Sequence, residues 1–284
     1  MRKVKGNKMK IYPICVPTCK RGFYHTLKYL ANTPLEVYVY CQPQDYIDNY
    51  ASDQELMAVK NFTFITDTPV GLCHAMNYII QDQLERGNQK VFILDDDVMD
   101  FRGIRRKDKH TENTFNETYK MEPIEFFTTW QNNIPDDCVA SGPSWSGFNG
   151  MSKNIGNQES IKHLDGRVFF NIKVLNDYGI KFEPDLPNHR NFCLQILKNK
   201  LPVPIMHGML ETKVVPSSPN TSIIFGIQNN NMGIWSRNLQ KKWGKEIIKI
   251  SKDKHFGNIY KLAPIKKLKE HFGYKKQFVF GNTK

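Results

Sequence analysis

The sequence predicts an α/β fold, a mostly parallel sheet flanked by helices in the doubly wound, Rossmann-like manner. Two observations predict it. Between Lys10 and Arg86, apolar strand-like runs alternate with helix-spaced segments, the pattern of successive β-α-β units. Val91–Leu94 (VFIL) is then a β-branched and aromatic run without alternation, as in a strand buried on both faces. A chain of 284 residues, 40% hydrophobic and 12% aromatic, has the length and composition to bury such a core.

The elements follow in order. Met1–Met9 is a basic lead-in with fraying expected. Lys10–Val16 (KIYPICV) is the first strand, with Pro13 arguing against a central position. Pro17–Gly22 is the loop at its carboxyl end, and Phe23–Ala31 has helical spacing. Leu35–Cys41 (LEVYVYC) is the second strand, ended by Gln42 and Pro43; a short helix is expected over Asp53–Val59. Asn61–Thr66 is the third strand. Gly71–Arg86 is an amphipathic helix with Leu72, Met76, Ile79, Ile80 and Leu84 on one face, stopped by Gly87. Asp100–Glu122 is polar enough to predict a mobile loop, and Glu122–Asn133 a helix. Cys138–Ser141 is a short strand before Gly142–Gly150 (GPSWSGFNG), a Gly/Ser loop whose aromatics suit either a pocket wall or ordinary surface. Gly166–Ile172 is a strand, Lys173–Tyr178 a short helix, Asn191–Lys200 a helix, and Leu201–Met206 runs extended to His207. Val215–Met232 is loop-like, Ile234–Ile250 a basic helix or helix–strand element, and Ala263–His271 a Lys-rich helix.

The apolar run Val91–Leu94 leads straight into Asp95, Asp96 and Asp97. Adjacent carboxylates repel, and a bound cation is the direct way to stabilise them together. Ligands of open α/β sheets lie outside the carboxyl ends of strands, where these acids fall. Hard oxygen ligands there suit Mg²⁺ or Mn²⁺ shared with a substrate diphosphate; a solvated acidic turn is the alternative. The chain has no GxGxxG after the first strand and no GxxxxGK[ST], so phosphates would be held by metal and basic side chains.

Forty Lys/Arg against 28 Asp/Glu give a net +12. The first 21 residues contribute +7 and the last 48 contribute +11, which leaves the middle at −6. Basic ends around an acidic centre suit a polyanion, with nucleic acid first, or a Lys-rich surface tuned for solubility. Six scattered cysteines without C-x-x-C exclude zinc ribbons and disulfide frameworks. No apolar run approaches the ~18–20 residues of a membrane span, and the basic N-terminus lacks a signal-peptide core. A cytoplasmic protein with reduced thiols is expected.

A first strand ending in P-[ST]-x-x-R (Pro17, Thr18, Arg21), a helix opening at Gly71 and bearing Asn77, and an apolar strand into Asp-x-Asp resemble a GT-A glycosyltransferase. The stretches FFNIKVLNDYGIKF (Phe169–Phe182), HRNFCLQILKNKLPV and NNNMGIWSRNLQKKWG resemble later blocks of its DNA-modifying branch, associated with TET-type oxygenases. That branch includes the base J glucosyltransferase of kinetoplastids and phage enzymes that glycosylate hydroxymethylpyrimidines. The similarity runs over most of Lys10–Ile250, which predicts a GT-A-like domain over 1–250 with 251–284 as a basic helical extension packed on or near it. The resemblance implies that Pro17, Thr18 and Arg21 meet uridine and phosphates and that Asn77 and Asp96 belong to the same donor site. Asp95 would contact sugar or ribose and share the metal with Asp97, and His207 would be the third ligand. Met76-Asn77 departs from the family's Arg-Asn, so Arg102, Arg105 or Arg106 are candidates for the missing phosphate contact. Asn188-His189 stands where the family has Glu-Asp, leaving His189 or Asp185 as the base.

The implied function is transfer of a sugar from a UDP-sugar to a hydroxyl, with Mn²⁺ or Mg²⁺ neutralising the leaving diphosphate. An inverting reaction needs the base; a retaining one would leave Asp185 and His189 to position the acceptor. The expected acceptor is the hydroxymethyl group of 5-hydroxymethylcytosine or another hydroxymethylpyrimidine in DNA, which projects into the major groove. Ser144 and Trp145 would line the acceptor pocket, and Lys241, Lys242 and Lys245 would meet DNA phosphates. Competing readings are a GT-A transferase acting on a glycan, lipid or protein, a non-catalytic DNA-binding α/β protein, and a nucleotidyltransferase.

Overall fold

The computed structural model describes residues 10–19, 25–54, 61–66, 71–106, 116–145, 158–159, 167–202, 205–213, 232–253 and 257–274. At 104–106, 116–117, 144–145, 158–159, 167, 188, 205–213, 253 and 257–258 only the backbone is described. Its elements run β1 (Ile14–Pro17), α1 (His25–Ala31), β2 (Val37–Cys41), α2 (Pro43–Asn49), β3 (Asn61–Phe64), α3 (Leu72–Glu85) and β4 (Lys90–Leu94). Next come β5 (Val98–Arg106), β6 (Asn116–Met121), α4 (Pro123–Asn132), β7 (Ala140–Trp145), β8 (Gln158–Glu159) and β9 (Arg167–Asn171). The chain continues through α5 (Ile172–Asp177), α6 (Asn188–Lys198), β10 (Ile205–Lys213) and α7 (232–243) to β11 (Ile248–Asp253), β12 (Gly257–Leu262) and α8 (Ile265–His271).

The main sheet has the order β3-β2-β1-β4-β9-β7-β10-β5-β6, with β8 beside β10. The first four strands are parallel, as the strand–helix alternation predicts. Beyond β4 the directions mix: β9 is antiparallel to β4 and β7, while β7 and β10 run parallel. Two reversals leave the carboxyl ends of β7 and β10 on the same edge as that of β4. Strand order grows from β1 through β2 to β3 and then jumps back to β4 on the other side of β1. The crevice between β1 and β4 is therefore the topological switch point, where such sheets bind ligands.

Both faces of the parallel strands are buried, and side-chain parity assigns each residue to a face. Ile14, Val16, Phe92, Leu94 and Phe169 pack with Leu27 and Leu30 of α1 and Phe126, Phe127 and Trp130 of α4. Cys15, Val91, Ile93, Val168 and Phe170 face the other way, onto Met76, Ile79 and Ile80 of α3 and Phe192, Leu194 and Leu197 of α6. Gly71 caps α3 at φ 147°, a conformation that favours glycine.

Three local expectations differ from the structure. Much of Asp100–Glu122, read as a polar loop, belongs to β5 and β6, which pair antiparallel: Phe101 and Gly103 are buried, and the charges between them mask the strand. Pro43 does not merely end β2. It opens α2 as a first-turn proline, whose missing N–H costs nothing there. The helix expected over Asp53–Val59 lies largely outside the described residues. The extension read as helical begins with the β11–β12 hairpin, and its Ala263, Leu268 and Tyr274 share the core of α3 and α6. Among the described residues no helix is long and apolar enough to cross a membrane.

Candidate functional site

Ile14 pairs with Phe92 and Cys15 with Ile93, and just past the strand ends the Thr18 hydroxyl reaches Asp96. The switch-point crevice thus carries the acidic turn directly beside the end of β1. Asp95 and Asp97 are half-buried, whereas Asp96 is 4% exposed. Parity explains the difference: Asp96 follows Phe92 and Leu94 onto the α1/α4 face. There its Oδ2 accepts the Thr18 hydroxyl at 2.7 Å, and Thr18 Oγ1 lies 2.6 Å from the Tyr50 hydroxyl at the end of α2. The middle acid and Thr18 are therefore buried supports of the turn. The sequence reading placed both against a bound nucleotide; the structure engages their side-chain oxygens with each other. Burial is the largest cause of the raised Tyr50 pKa, which keeps its hydroxyl a donor.

Thr26, in the first turn of α1, holds the backbone of the same turn. Its hydroxyl donates to the Asp95 carbonyl at 2.7 Å and accepts from Val98 N at 2.8 Å. Its own N–H donates to the Asp96 carbonyl at 3.3 Å. Sequence reasoning missed both Thr26 and Tyr50, since neither belongs to a local motif.

The segment before α6 reaches the same edge of the sheet. Asn77, on α3, donates through Nδ2 to the Phe182 carbonyl at 2.8 Å and accepts from Phe182 N through Oδ1 at 2.9 Å. Both ends of the amide are engaged by the Phe182 backbone, so Asn77, expected in the donor site, tethers this segment to α3. Three residues on, Asp185 is exposed at φ 60°, a left-handed conformation that aspartate tolerates, with its carbonyl held by Asn238 Nδ2 at 3.2 Å. Burial, reinforced by the charges of Glu183 and Asp185, pushes the Cys73 thiol up to about 11. His189 is half-buried in the first turn of α6, four residues beyond Asp185 in the chain.

Other expected residues fall elsewhere. Lys213, at the end of β10, pairs with Val98 just past the acidic turn; His207 lies six residues earlier on that strand. At about 3.3 Å per residue that is roughly 20 Å, beyond the reach of a histidine side chain to Asp97. His207 is thereby removed as the third ligand. Arg102 is held by Asp100 at 2.9 Å, its charge answered on its own strand. Lys242 is paired with Glu183 and sits over the Trp243 ring, so it ties α7 to the Asp185 segment, while Lys241 and Lys245 are exposed. The backbones of Ser144 and Trp145 pair with Leu210 and Glu211 at the carboxyl end of β7. Their side chains, those of Arg105 and Arg106, and all of Arg21 lie outside the described residues.

Of the six cysteines, five are buried and Cys19 is exposed, one residue past Thr18. Burial pushes the thiols of Cys41 and Cys138 each up to about 12, so thiolate is scarce at mildly basic pH. Iodoacetamide at pH 8 is expected to modify Cys19 alone in the native protein and all six only after unfolding. Peptide mass mapping checks this; rapid native labelling of Cys73 would contradict the packing of α3.

No protein-family profile and no curated protein matches the sequence. Among solved structures, the chain is similar to the mannosyltransferase PcManGT of Pyrobaculum calidifontis, solved in complex with GDP-Man and Mn²⁺. The TM-score is 0.50 and the identity 12%, covering 81% of this chain and 64% of that one. Glucosyl-3-phosphoglycerate synthase of Mycobacterium tuberculosis, in complex with Mg²⁺ and uridine-diphosphate, gives a TM-score of 0.49 at 8% identity, covering 90% and 88%. Likeness at these identities is likeness of fold, and the fold is GT-A-like.

Proposed function

We propose that this protein is a metal-dependent glycosyltransferase that moves a sugar from a UDP-sugar to the hydroxymethyl group of 5-hydroxymethylcytosine, or another hydroxymethylpyrimidine, in DNA. One observation carries the transferase reading: on a GT-A-like fold, an acidic turn stands at the switch point, with its middle acid turned inward and its outer two half-buried. The mannosyltransferase of the same fold was solved with a nucleotide-sugar and Mn²⁺.

Asp95 and Asp97 are the residues that would hold a divalent ion, and carboxylate oxygens are the donors Mn²⁺ and Mg²⁺ prefer. Among the described residues no three His, Cys, Asp or Glu side chains form a ready-made cluster. Two acids match an ion that completes its shell with water and substrate phosphate. When bound, such an ion neutralises charge on a departing diphosphate. The remaining chemistry belongs to this chain. Asp185, exposed on its turn, or His189, in the first turn of α6, takes the proton of the acceptor hydroxyl in an inverting reaction; in a retaining one they orient the acceptor.

The DNA acceptor rests on charge. Lys241, Lys245, Lys249, Lys252, Lys261, Lys266 and Lys267 are exposed along the C-terminal elements, suited to phosphate contacts without sequence readout. The test is incubation with Mn²⁺, labelled UDP-sugars and duplex DNA containing either hydroxymethylcytosine or cytosine. Label is expected only in the hydroxymethylated duplex. DNA affinity is expected to fall with salt with a log–log slope of about −4 to −6, at ~0.9 per phosphate contact. Label in a glycan or lipid acceptor, with none in DNA and a flat salt response, would overturn the acceptor assignment.

A further inference from the structure

Asp96 and Asp97 form a turn at the end of β4, and its backbone is also held by a side chain of α1. In an ordinary β-turn the carbonyl of the first residue accepts the N–H of the fourth, here Asp95 and Val98. The Thr26 hydroxyl, on a residue 1% exposed, stands between those two groups and bonds both, at 2.7 and 2.8 Å. The Thr26 N–H takes the Asp96 carbonyl as well, at 3.3 Å. One residue of α1 thus bonds three of the turn's backbone groups. From beneath, Tyr50 and Thr18 fix the middle acid through its side chain, at 2.6 and 2.7 Å.

We infer that Thr26 and Tyr50 are positioning residues for metal and donor binding, acting through the backbone of Asp95–Val98 and through Thr18 and Asp96. The inference rests on the reading of Asp95 and Asp97 as the metal-binding acids. Its physical basis is preorganisation. A pair of repelling carboxylates on an unsupported turn must be ordered when the ion arrives, whereas a clamped turn has been ordered by folding. Second-shell groups of this kind change metal affinity by about 10–100-fold in other metalloproteins. Thr26→Val keeps the side-chain shape and removes the hydroxyl that bonds the Asp95 carbonyl and the Val98 N–H. Serine keeps the hydroxyl.

Mn²⁺ binding, with and without UDP, is measured by electron paramagnetic resonance of the free ion, a readout independent of turnover. Thr26→Val is expected to weaken Mn²⁺–UDP binding about 10–100-fold, with Thr26→Ser restoring it to within about threefold. Tyr50→Phe, which removes a single hydroxyl, is expected to weaken it by about three- to tenfold. Gln131→Met is the control for stability alone. That amide holds Tyr12 N at 2.9 Å and the Lys10 carbonyl at 3.1 Å at the opposite end of β1, and its loss should leave Mn²⁺ affinity unchanged. Wild-type affinity in folded Thr26→Val overturns the inference. If Thr26→Val unfolds, Tyr50→Phe decides, and unchanged affinity there overturns it equally. A wild-type protein that binds no Mn²⁺, or an Asp97→Asn variant that binds as well as wild type, would instead sink the reading of the site.

Discussion

Asp97→Asn is expected to reduce Mn²⁺-dependent sugar transfer by about 10³-fold or more, with the fold intact. The substitution keeps size and shape but removes one of the two charged donors offered by the turn. Stabilising the charge of a departing diphosphate is worth several kcal/mol, and a factor of 10³ is about 4 kcal/mol. Thermal melting distinguishes a binding defect from a folding one. At a Mn²⁺–UDP concentration about 100 times its dissociation constant, the wild-type protein gains about 2.7 kcal/mol of stability. Asp97→Asn should gain almost none, while its melting temperature without ligand stays within about 2 °C of wild type, as for a ~0.5 kcal/mol change in a domain of this size. Full activity and a full ligand-induced shift would place the ion, and with it the donor, elsewhere on the molecule.

Phe92→Ala carries the largest expected loss of stability. Phe92 is fully buried at the centre of β4, with ring centroids 4.7 Å from Trp130, 5.1 Å from Phe127 and 5.9 Å from Phe169. Truncation opens a cavity walled by rigid rings that cannot collapse into it, costing about 3–5 kcal/mol. Denaturant midpoints should fall with the slope unchanged. Phe92→Leu, which retains most of the volume, should cost about 1–1.5 kcal/mol. The folded fraction of Phe92→Ala should bind Mn²⁺ within a few-fold of wild type, because the acidic turn is clamped by α1, β1 and α2 as well as by β4. A loss of affinity as large as that expected for Thr26→Val would mean that core packing, not the clamp, orders the acids.

Several features were legible locally. The run Val91–Leu94 announced a strand covered on both faces, and the amphipathic stripe of Met76, Ile79 and Ile80 announced α3. Strong periodicity survives in sequence because each residue of an element answers to one face of one neighbouring layer. The β5–β6 hairpin was not legible, since Asp100, Arg102, Arg105 and Arg106 interrupt its apolar positions and imitate a loop. Side-chain parity alone separates Asp96 from its neighbours, because residue 96 shares the face of 92 and 94. Asn77 and His207 are different: only the tether to Phe182 and the register of β10 against β5 show what they can reach.

What the sequence determined by itself was the strand–helix alternation from β1 to β4 and the placement of three acids at the end of a buried strand. Only the tertiary structure decided which hydroxyls hold the turn and which remote segments reach it. Those contacts join Thr26 to Asp95, Thr18 to Asp96 and Thr18 to Tyr50 across 69, 78 and 32 residues of chain. Local periodicity records which face a residue occupies, but a hydrogen bond between remote segments depends on the packing that brings them together.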